Sequence, residues 1–269
     1  MTRRELENTL RRGGIEEAES EALLLFTYVT GLSKARLLAE PQLSLTDETL
    51  MPLLSRRLSH EPLQYILGEA PFGNEIYTVS PDCLIPRFDT ERLVEAAAER
   101  IPKNAHIADL CTGSGCIAIS LLCLRKDLTA DAYDISEGAL RIAEENAKRN
   151  GVIDRISFKK ADLLSLPTLP RIYGAILSNP PYIPTKDLAS LSPEVQKEPR
   201  LALDGGCDGL AFYKHFTAAF RASLAENGLF LFEIGFDQGN ALREIANAAV
   251  MNCDIIKDYG GCDRVAILM

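Results

Sequence analysis

Ala105-His106-Ile107-Ala108-Asp109-Leu110-Cys111-Thr112-Gly113-Ser114-Gly115-Cys116-Ile117-Ala118-Ile119 is the stretch from which the architecture is read. An apolar run of strand length carries an acid near its end, passes through a turn with two glycines and enters a second apolar run. Glycine lets backbone approach a ligand closely, so strand, glycine-rich turn and helix together mark a ligand site at the end of a parallel strand. The turn lacks G-x-x-x-x-G-K-S/T, which excludes a phosphate-cradling nucleotide loop. Gly113-x-Gly115-x-x-Ala118 matches the loose dinucleotide fingerprint, and Asp134 stands about where that motif wants its ribose-binding acid. The pattern alone leaves NAD and S-adenosylmethionine both open. Asp109, just before the turn, is well placed for an ammonium group and an odd neighbour for a pyrophosphate. This favours the sulfonium cofactor, with Asp109, Cys111, Thr112, Gly113, Ser114 and Gly115 around it.

Working outward, short apolar strands alternate with amphipathic helices from Thr90 to the C-terminus, the pattern of a parallel sheet covered on both faces. Strands are placed at Ile107–Leu110, Ala130–Tyr133, Ile156–Lys159, Gly174–Leu177 and Leu229–Ile234, with a last antiparallel pair near Asn252–Asp258 and Val265–Met269. A helix is expected from Thr90 to about Arg100. Upstream, apolar residues fall at helical spacing from Arg4 to about Leu58, as in Ala18, Ala22, Leu25, Phe26 and Val29. Between the two regions, Gln64-Tyr65-Ile66-Leu67 and Ile76-Tyr77-Thr78-Val79 flank Gly68 and Gly73-Asn74 and read as a hairpin. The expected organisation is a helical domain over 1–62, a β-hairpin linker over 63–82 and an α/β domain over 83–269.

The chain has 269 residues, 46% hydrophobic and 25% charged, in keeping with one large globular domain and a smaller one. Its net charge of −9 argues against broad grip on nucleic acid, which Lys and Arg would have to supply, so no stable nucleic-acid binding is expected. The seven cysteines are scattered and never spaced C-x-x-C, so neither a disulfide framework nor a zinc site is indicated and a reducing cytoplasm is the natural compartment. His60, His106 and His215 show no metal or triad spacing. Met1-Thr2-Arg3-Arg4-Glu5 leads into polar sequence without an apolar signal core, and no run is long enough to span a bilayer.

Ser178-Asn179-Pro180-Pro181-Tyr182 follows the apolar run Tyr173–Leu177. Two prolines at a strand's end stop the ladder and hold nearby carbonyls in set directions. With the Asn179 amide oxygen added, one stiff turn offers two acceptors, enough to grip both hydrogens of a planar NH2 group. Tyr182 can cover that plane. The bland alternative is a strand merely ended by proline. Asp134 is placed to accept both ribose hydroxyls, or else to cap the helix before Ser136. Asp162 is placed to accept from an adenine amino group with Leu163 against the ring, or else to be an ordinary turn acid. Three acids and a glycine turn on successive strand ends outweigh any one of them.

Asn-Pro-Pro-Tyr resembles the signature of amino-group methyltransferases. Further blocks narrow this: Glu61–Gly68, Leu84-Ile85-Pro86-Arg87 with Thr90-Glu91, Glu198–Gly206, Asp208-Gly209-Leu210 and Phe232-Glu233-Ile234-Gly235. With them the chain resembles the PrmC/HemK family over nearly its whole length. The resemblance implies a Rossmann-like class I S-adenosylmethionine-dependent domain with a seven-stranded, mostly parallel sheet, joined by a hairpin to an N-terminal substrate-recognition domain. It implies methylation of the glutamine side-chain nitrogen in the Gly-Gly-Gln motif of bacterial class I peptide chain release factors. Asn179, Pro180 and Tyr182 would then be catalytic, with Pro181, Arg87 and Glu198 also contacting substrate. Arg87 and Glu198 have an alternative reading as a structural ion pair. No metal is called for. The sequence departs from the family at Cys111, where a glycine is usual, and at Phe88-Asp89, where Pro-Glu is usual. Two other readings stay open: an adenine-N6 or cytosine-N4 methyltransferase acting on nucleic acid, and a cofactor-binding module that does no chemistry.

Overall fold

The computed structural model describes residues 1–269, which divide into two units, Met1–Glu69 with Ser192–Lys197 and Ala70–Leu191 with Glu198–Met269. In the first, helices α1 (Arg3–Arg12), α2 (Ala18–Thr30), α3 (Lys34–Ala39), α4 (Asp47–Leu58) and α5 (Leu63–Leu67) enclose a core that includes Leu6, Leu10, Ala22, Leu25, Phe26, Leu50 and Leu54. These residues recur every three or four positions, so each helix turns one apolar stripe inward. A reciprocal box starts α1: the Thr2 hydroxyl accepts from the Glu5 amide while the Glu5 carboxylate accepts from the Thr2 amide. Arg57 is buried, and its charge is met by Glu21 at 2.6 and 2.9 Å and by Glu194 at 2.6 Å. That pairing offsets the cost of taking a guanidinium out of water.

Gln64–Leu67, read as a strand from its β-type residues, is a single helical turn. Pro62 precedes it with φ −53°, and Gly68 follows it at φ 76°, donating its amide to Gln64 O at 2.8 Å. Proline before and glycine after a turn is the helix frame, and it overrides the propensity of the five residues between. The hairpin proper is β1 (Glu69–Phe72) and β2 (Glu75–Thr78), turning at Gly73-Asn74.

The second unit continues with α6 (Glu91–Arg100), β3 (His106–Leu110), α7 (Cys116–Leu124), β4 (Thr129–Asp134), α8 (Glu137–Arg149), β5 (Ile156–Lys160), β6 (Tyr173–Ser178), α9 (Ala211–Ala219), β7 (Leu224–Glu233), α10 (Gly239–Ala248), β8 (Cys253–Lys257) and β9 (Asp263–Leu268). The strands form one seven-stranded sheet in the order β5-β4-β3-β6-β7-β9-β8. The first five run parallel, and β9 is antiparallel to both its neighbours. Successive side chains alternate between two cores, as a pleat requires. Ile107, Ala175, Leu177, Leu229 and Leu231 pack with Leu93, Ile117 and Leu121, while Ala108, Leu110, Ile176, Phe230 and Phe232 pack with Tyr213, Phe216 and Leu242. Both faces are therefore covered, which is the Rossmann-like class I methyltransferase architecture. No helix is long and apolar enough to cross a membrane.

Candidate active site

Sheet register brings the motifs together. Between β3 and β6 the strand order reverses, and ligands of such sheets bind outside the carboxyl ends at that point. Leu110 lies opposite both Tyr133 and Ser178, Ser178 lies opposite Phe232, and Asp134 lies opposite Lys160. The next residues along, Cys111, Asn179 and Glu233, the last of these ending β7, thus lie side by side at the carboxyl edge of the sheet, with Asp134 on their flank. Ser178 Oγ donates to Leu110 O at 2.6 Å and ties the two central strand ends. A cavity of about 770 Å³ opens here, bordered by Cys111–Ser114, Asp134, Asp162, Leu163, Arg87, Asn179 and Pro181 among others.

The glycine turn is shaped by its backbone angles. Gly113 (φ 55°) and Gly115 (φ 82°) are left-handed, and a Cβ on Gly115 would meet Ile119 Cδ1 at 2.7 Å and Ala143 Cβ at 3.1 Å. Cys111 is also left-handed at φ 58°, a conformation that costs a side-chain-bearing residue roughly 1–2 kcal/mol. The geometry that suits glycine is thus kept with a cysteine, whose thiol burial pushes well up in pKa. Asp134 Oδ2 accepts from Gly113 N and Oδ1 from Ser136 N, both at 2.9 Å, and burial raises its pKa. The cap of α8 is Ser136 itself, so Asp134 is not that cap. Asp162 is exposed on the cavity rim, its oxygens taken by Leu164 N and Ser165 Oγ, and Leu163 lies buried beside it.

Asp109 sits elsewhere than the sequence reading places it. It is fully buried beneath the turn and does not border the cavity; its Oδ2 accepts from Thr112 Oγ1 at 2.6 Å and Ala118 N at 3.3 Å. Its Oδ1 has no partner, and burial pushes the carboxyl up to about 7.

At the end of β6, Asn179 and Pro181 border the cavity, while buried Pro180 and half-buried Tyr182 stand behind them. The segment 203–209 is laid against this turn. Ile183 N donates to Leu203 O at 3.0 Å, Gly205 N to Ile183 O at 2.8 Å and Thr185 N to Gly206 O at 2.9 Å. A Cβ on Gly205 would meet Tyr182 Cα at 2.7 Å, and one on Gly209 would meet Tyr182 O at 2.3 Å. Both glycines are required by backbone approach. Arg87 and Glu198 form the ion pair of the alternative reading: Arg87 Nη2 donates to Glu198 Oε1, and Glu198 Oε2 accepts from Ile85 N at 3.0 Å. Arg87 borders the cavity, but Glu198 is buried behind it and does not.

Comparison with known proteins decides between the readings of this site. The chain is 40% identical over 267 aligned residues to a release factor glutamine methyltransferase of Moorella thermoacetica, spanning 95% of this chain and 92% of the relative. The chain belongs to the release factor glutamine methyltransferase family. A second family member, from Geobacter sulfurreducens, is 38% identical over 261 residues, spanning 95% of this chain and 91% of the relative. A family model of the PrmC N-terminal domain matches residues 2–68, and one of the methyltransferase small domain matches residues 88–197. Among solved structures, the hMettl16 catalytic domain in complex with an RNA hairpin shares the fold, with a TM-score of 0.53 at 17% identity over 71% of this chain and 74% of that one.

Three further residues of this release factor glutamine methyltransferase family member shape the site: Gln238 and Asn146, which no motif singles out, and Thr90, which the sequence marks only as part of a family block and a helix start. Gln238 Nε2 donates to Tyr182 O at 3.1 Å and Gly209 O at 3.3 Å while its Oε1 accepts from Gly235 N at 2.9 Å, so one amide locks three loops. Asn146, fully buried on α8, donates to Ser114 O at 2.9 Å and Thr78 O at 3.0 Å and accepts from Thr78 N at 2.7 Å. Thr90 accepts from Asn179 Nδ2 at 3.3 Å. Apart from Gly235, three residues from Gln238, their partners lie 29 to 89 residues away, where local pattern carries no signal.

Proposed function

We propose that this protein transfers a methyl group from S-adenosylmethionine to the side-chain amide nitrogen of the glutamine in the Gly-Gly-Gln motif of bacterial class I release factors. The observation that carries the reading is the register that sets Asn179 beside the glycine turn, Leu110 opposite Ser178, on a chain 40% identical over nearly its full length to a release factor glutamine methyltransferase.

The residues present fit the cofactor. The turn residues Cys111–Ser114 border the cavity, with Gly113 leaving room there because a Cβ on it would meet nothing within 4 Å, while Gly115 closes the turn against Ile119 and Ala143 and does not border it; Asp134 and Asp162 are acceptors on the cavity wall, and Leu163 offers an apolar surface. Asp109 stiffens the turn from below, its second oxygen unspent. When bound, the cofactor supplies a methyl group activated by a positively charged sulfur.

The protein's contribution is to the acceptor. A carboxamide nitrogen is a weak nucleophile because its lone pair is shared with the carbonyl, the resonance that gives a peptide bond its rotation barrier of about 18–20 kcal/mol. Asn179 Oδ1 and the Pro180 carbonyl each take a hydrogen bond from the glutamine NH2, orienting the nitrogen and favouring a more tetrahedral shape. Such orientation is worth roughly 7–11 kcal/mol in a well-aligned pair. Neutral acceptors also stabilise positive charge developing on nitrogen. Tyr182 packs on the substrate side chain, and Arg87, steadied by Glu198, contacts the substrate loop.

The test is incubation with methyl-labelled S-adenosylmethionine and purified release factor, beside the same factor with its motif glutamine replaced and beside DNA. Label is expected on the intact factor alone. Label on DNA, or on the glutamine-replaced factor, overturns the reading.

A further inference from the structure

The Asn179 carboxamide has two ends of nearly equal shape and opposite function. Turned one way it offers the cavity an acceptor, and turned by half a rotation it offers two donors. Facing a substrate NH2, only the first orientation binds. Selecting it requires something that recognises the other end of the amide.

Thr90 meets that need. It is 2% exposed, and its Oγ1 receives Asn179 Nδ2 at 3.3 Å. Its backbone is fixed, since Thr90 N donates to Arg87 O at 3.0 Å and α6 begins at the next residue. A hydroxyl can also donate, however, and by turning its hydrogen toward Asn179 it would stabilise the wrong orientation. Glu233 removes that ambiguity. It ends β7 next to Asn179, because Ser178 is paired with Phe232, and it is 1% exposed with Oε2 buried and unpartnered. Burial pushes its carboxyl up to about 7, and the neighbouring Thr90 and Tyr182 hydroxyls pull against that rise. A carboxyl group with acceptor capacity to spare draws the Thr90 hydrogen to itself, leaving a Thr90 lone pair for the Asn179 NH2.

We propose that Thr90 is a positioning residue, which, with its hydroxyl hydrogen drawn to Glu233, fixes the orientation of the Asn179 amide so that Oδ1 faces the substrate. The inference rests on the proposed role of Asn179 as acceptor for a substrate NH2.

Two variants and two readouts test it. Thr90→Val keeps the shape and removes the hydroxyl, and Thr90→Ser keeps the hydroxyl. The first readout is kcat and KM for release factor methylation, with the cofactor Kd measured alongside. Thr90→Val is expected to lose on the order of ten- to hundred-fold in kcat, as misplacement of a reacting group does. Its cofactor Kd stays within about threefold, since no contact to the glycine turn is removed. Thr90→Ser restores kcat to within severalfold of wild type. The second readout needs no substrate: hydrogen exchange of the Asn179 side-chain NH2, followed by NMR and assigned by its loss in Asn179→Asp. It is expected to be slow in wild type and Thr90→Ser and at least about tenfold faster in Thr90→Val, as loss of a buried hydrogen bond requires. Unchanged kcat and exchange in Thr90→Val, or equal losses in Thr90→Ser and Thr90→Val, overturn the proposal. Release factor left unmethylated by the wild-type enzyme overturns the substrate reading, and the exchange measurement still decides the amide orientation.

Discussion

Gly205→Ala tests the geometry of the Asn179 turn without replacing any residue assigned to the substrate. The added Cβ would lie 2.7 Å from Tyr182 Cα, 2.8 Å from Pro181 O and 2.8 Å from Tyr182 C. All three are backbone atoms, so no side chain can swing aside. Reaching an ordinary contact of 3.4 Å demands that the two segments part by about 0.7 Å. That movement falls on the turn that carries Asn179 and Pro180, because Ile183 and Gly205 are also joined by a hydrogen bond of 2.8 Å. A displacement near 1 Å at a reacting group costs up to about 100-fold, so kcat is expected to fall roughly 30- to 100-fold. Overpacking should cost about 1–3 kcal/mol of stability. The glycine turn belongs to another strand end, so cofactor affinity should hold within a few-fold. Single-turnover label transfer to release factor, calorimetric cofactor binding and thermal unfolding measure the three quantities. Gly174→Ala is the control: it creates an equally close contact, 2.7 Å to Ala105 Cβ, at the other end of β6, and should lower Tm while leaving the single-turnover rate within a few-fold. Gly205→Ala retaining wild-type turnover would refute the argument, as would an equal loss of turnover in the control.

Asn179→Ala should abolish turnover while leaving cofactor affinity within a few-fold, read by the same two assays; an order-of-magnitude loss of cofactor binding would mean its role lies with the cofactor. Burial holds the Asp109 carboxyl at about 7, against 3.8 for the unburied group, so the folded state keeps a proton that the unfolded state releases. Its stability contribution is full below pH 3.8 and is lost as pH rises toward 7, at up to about 1.4 kcal/mol per pH unit. Urea unfolding between pH 5 and 8 should show that decline, and Asp109→Asn should flatten it; an unchanged slope would count against a protonated Asp109. Of the seven free cysteines, Cys207 and Cys262 are exposed, whereas burial raises the thiol pKa of Cys83, Cys111 and Cys116. A disulfide reagent near pH 8 should therefore modify those two first, as peptide mapping would show.

The sheet was legible because its rules are local. Residues such as Ile107 and Ala108, or Leu231 and Phe232, alternate between two buried faces, and turns punctuate them, so five parallel strands and an antiparallel pair follow from period and length. β7 nonetheless begins at Leu224, five residues before the start expected from its apolar run, since the solvated part of a strand carries no apolar signal. Gln64–Leu67 misled for the opposite reason: its propensity is β-like, and the Pro62 and Gly68 that frame it decide the outcome. At the site, the glycine turn and the asparagine-proline run announce themselves, and register then sets them together. What sequence could not show is how carboxylates divide their labour. Asp134 and Asp162 reach the cavity wall, whereas Asp109 is drawn under the turn by Thr112 and Ala118, and Glu198 is drawn back by Ile85 and Arg87. Those assignments depend on partners distant in the chain or on a fold-dependent choice between two hydrogen-bonding directions.

The most direct measurement is a structure of the enzyme with the demethylated cofactor and a glutamine-bearing release factor or its loop. The glutamine nitrogen is expected within hydrogen-bond distance, about 3 Å, of both Asn179 Oδ1 and Pro180 O, with its remaining face toward the cofactor sulfur. A nitrogen held by other groups, or an Asn179 side chain turned from the cavity, would contradict it.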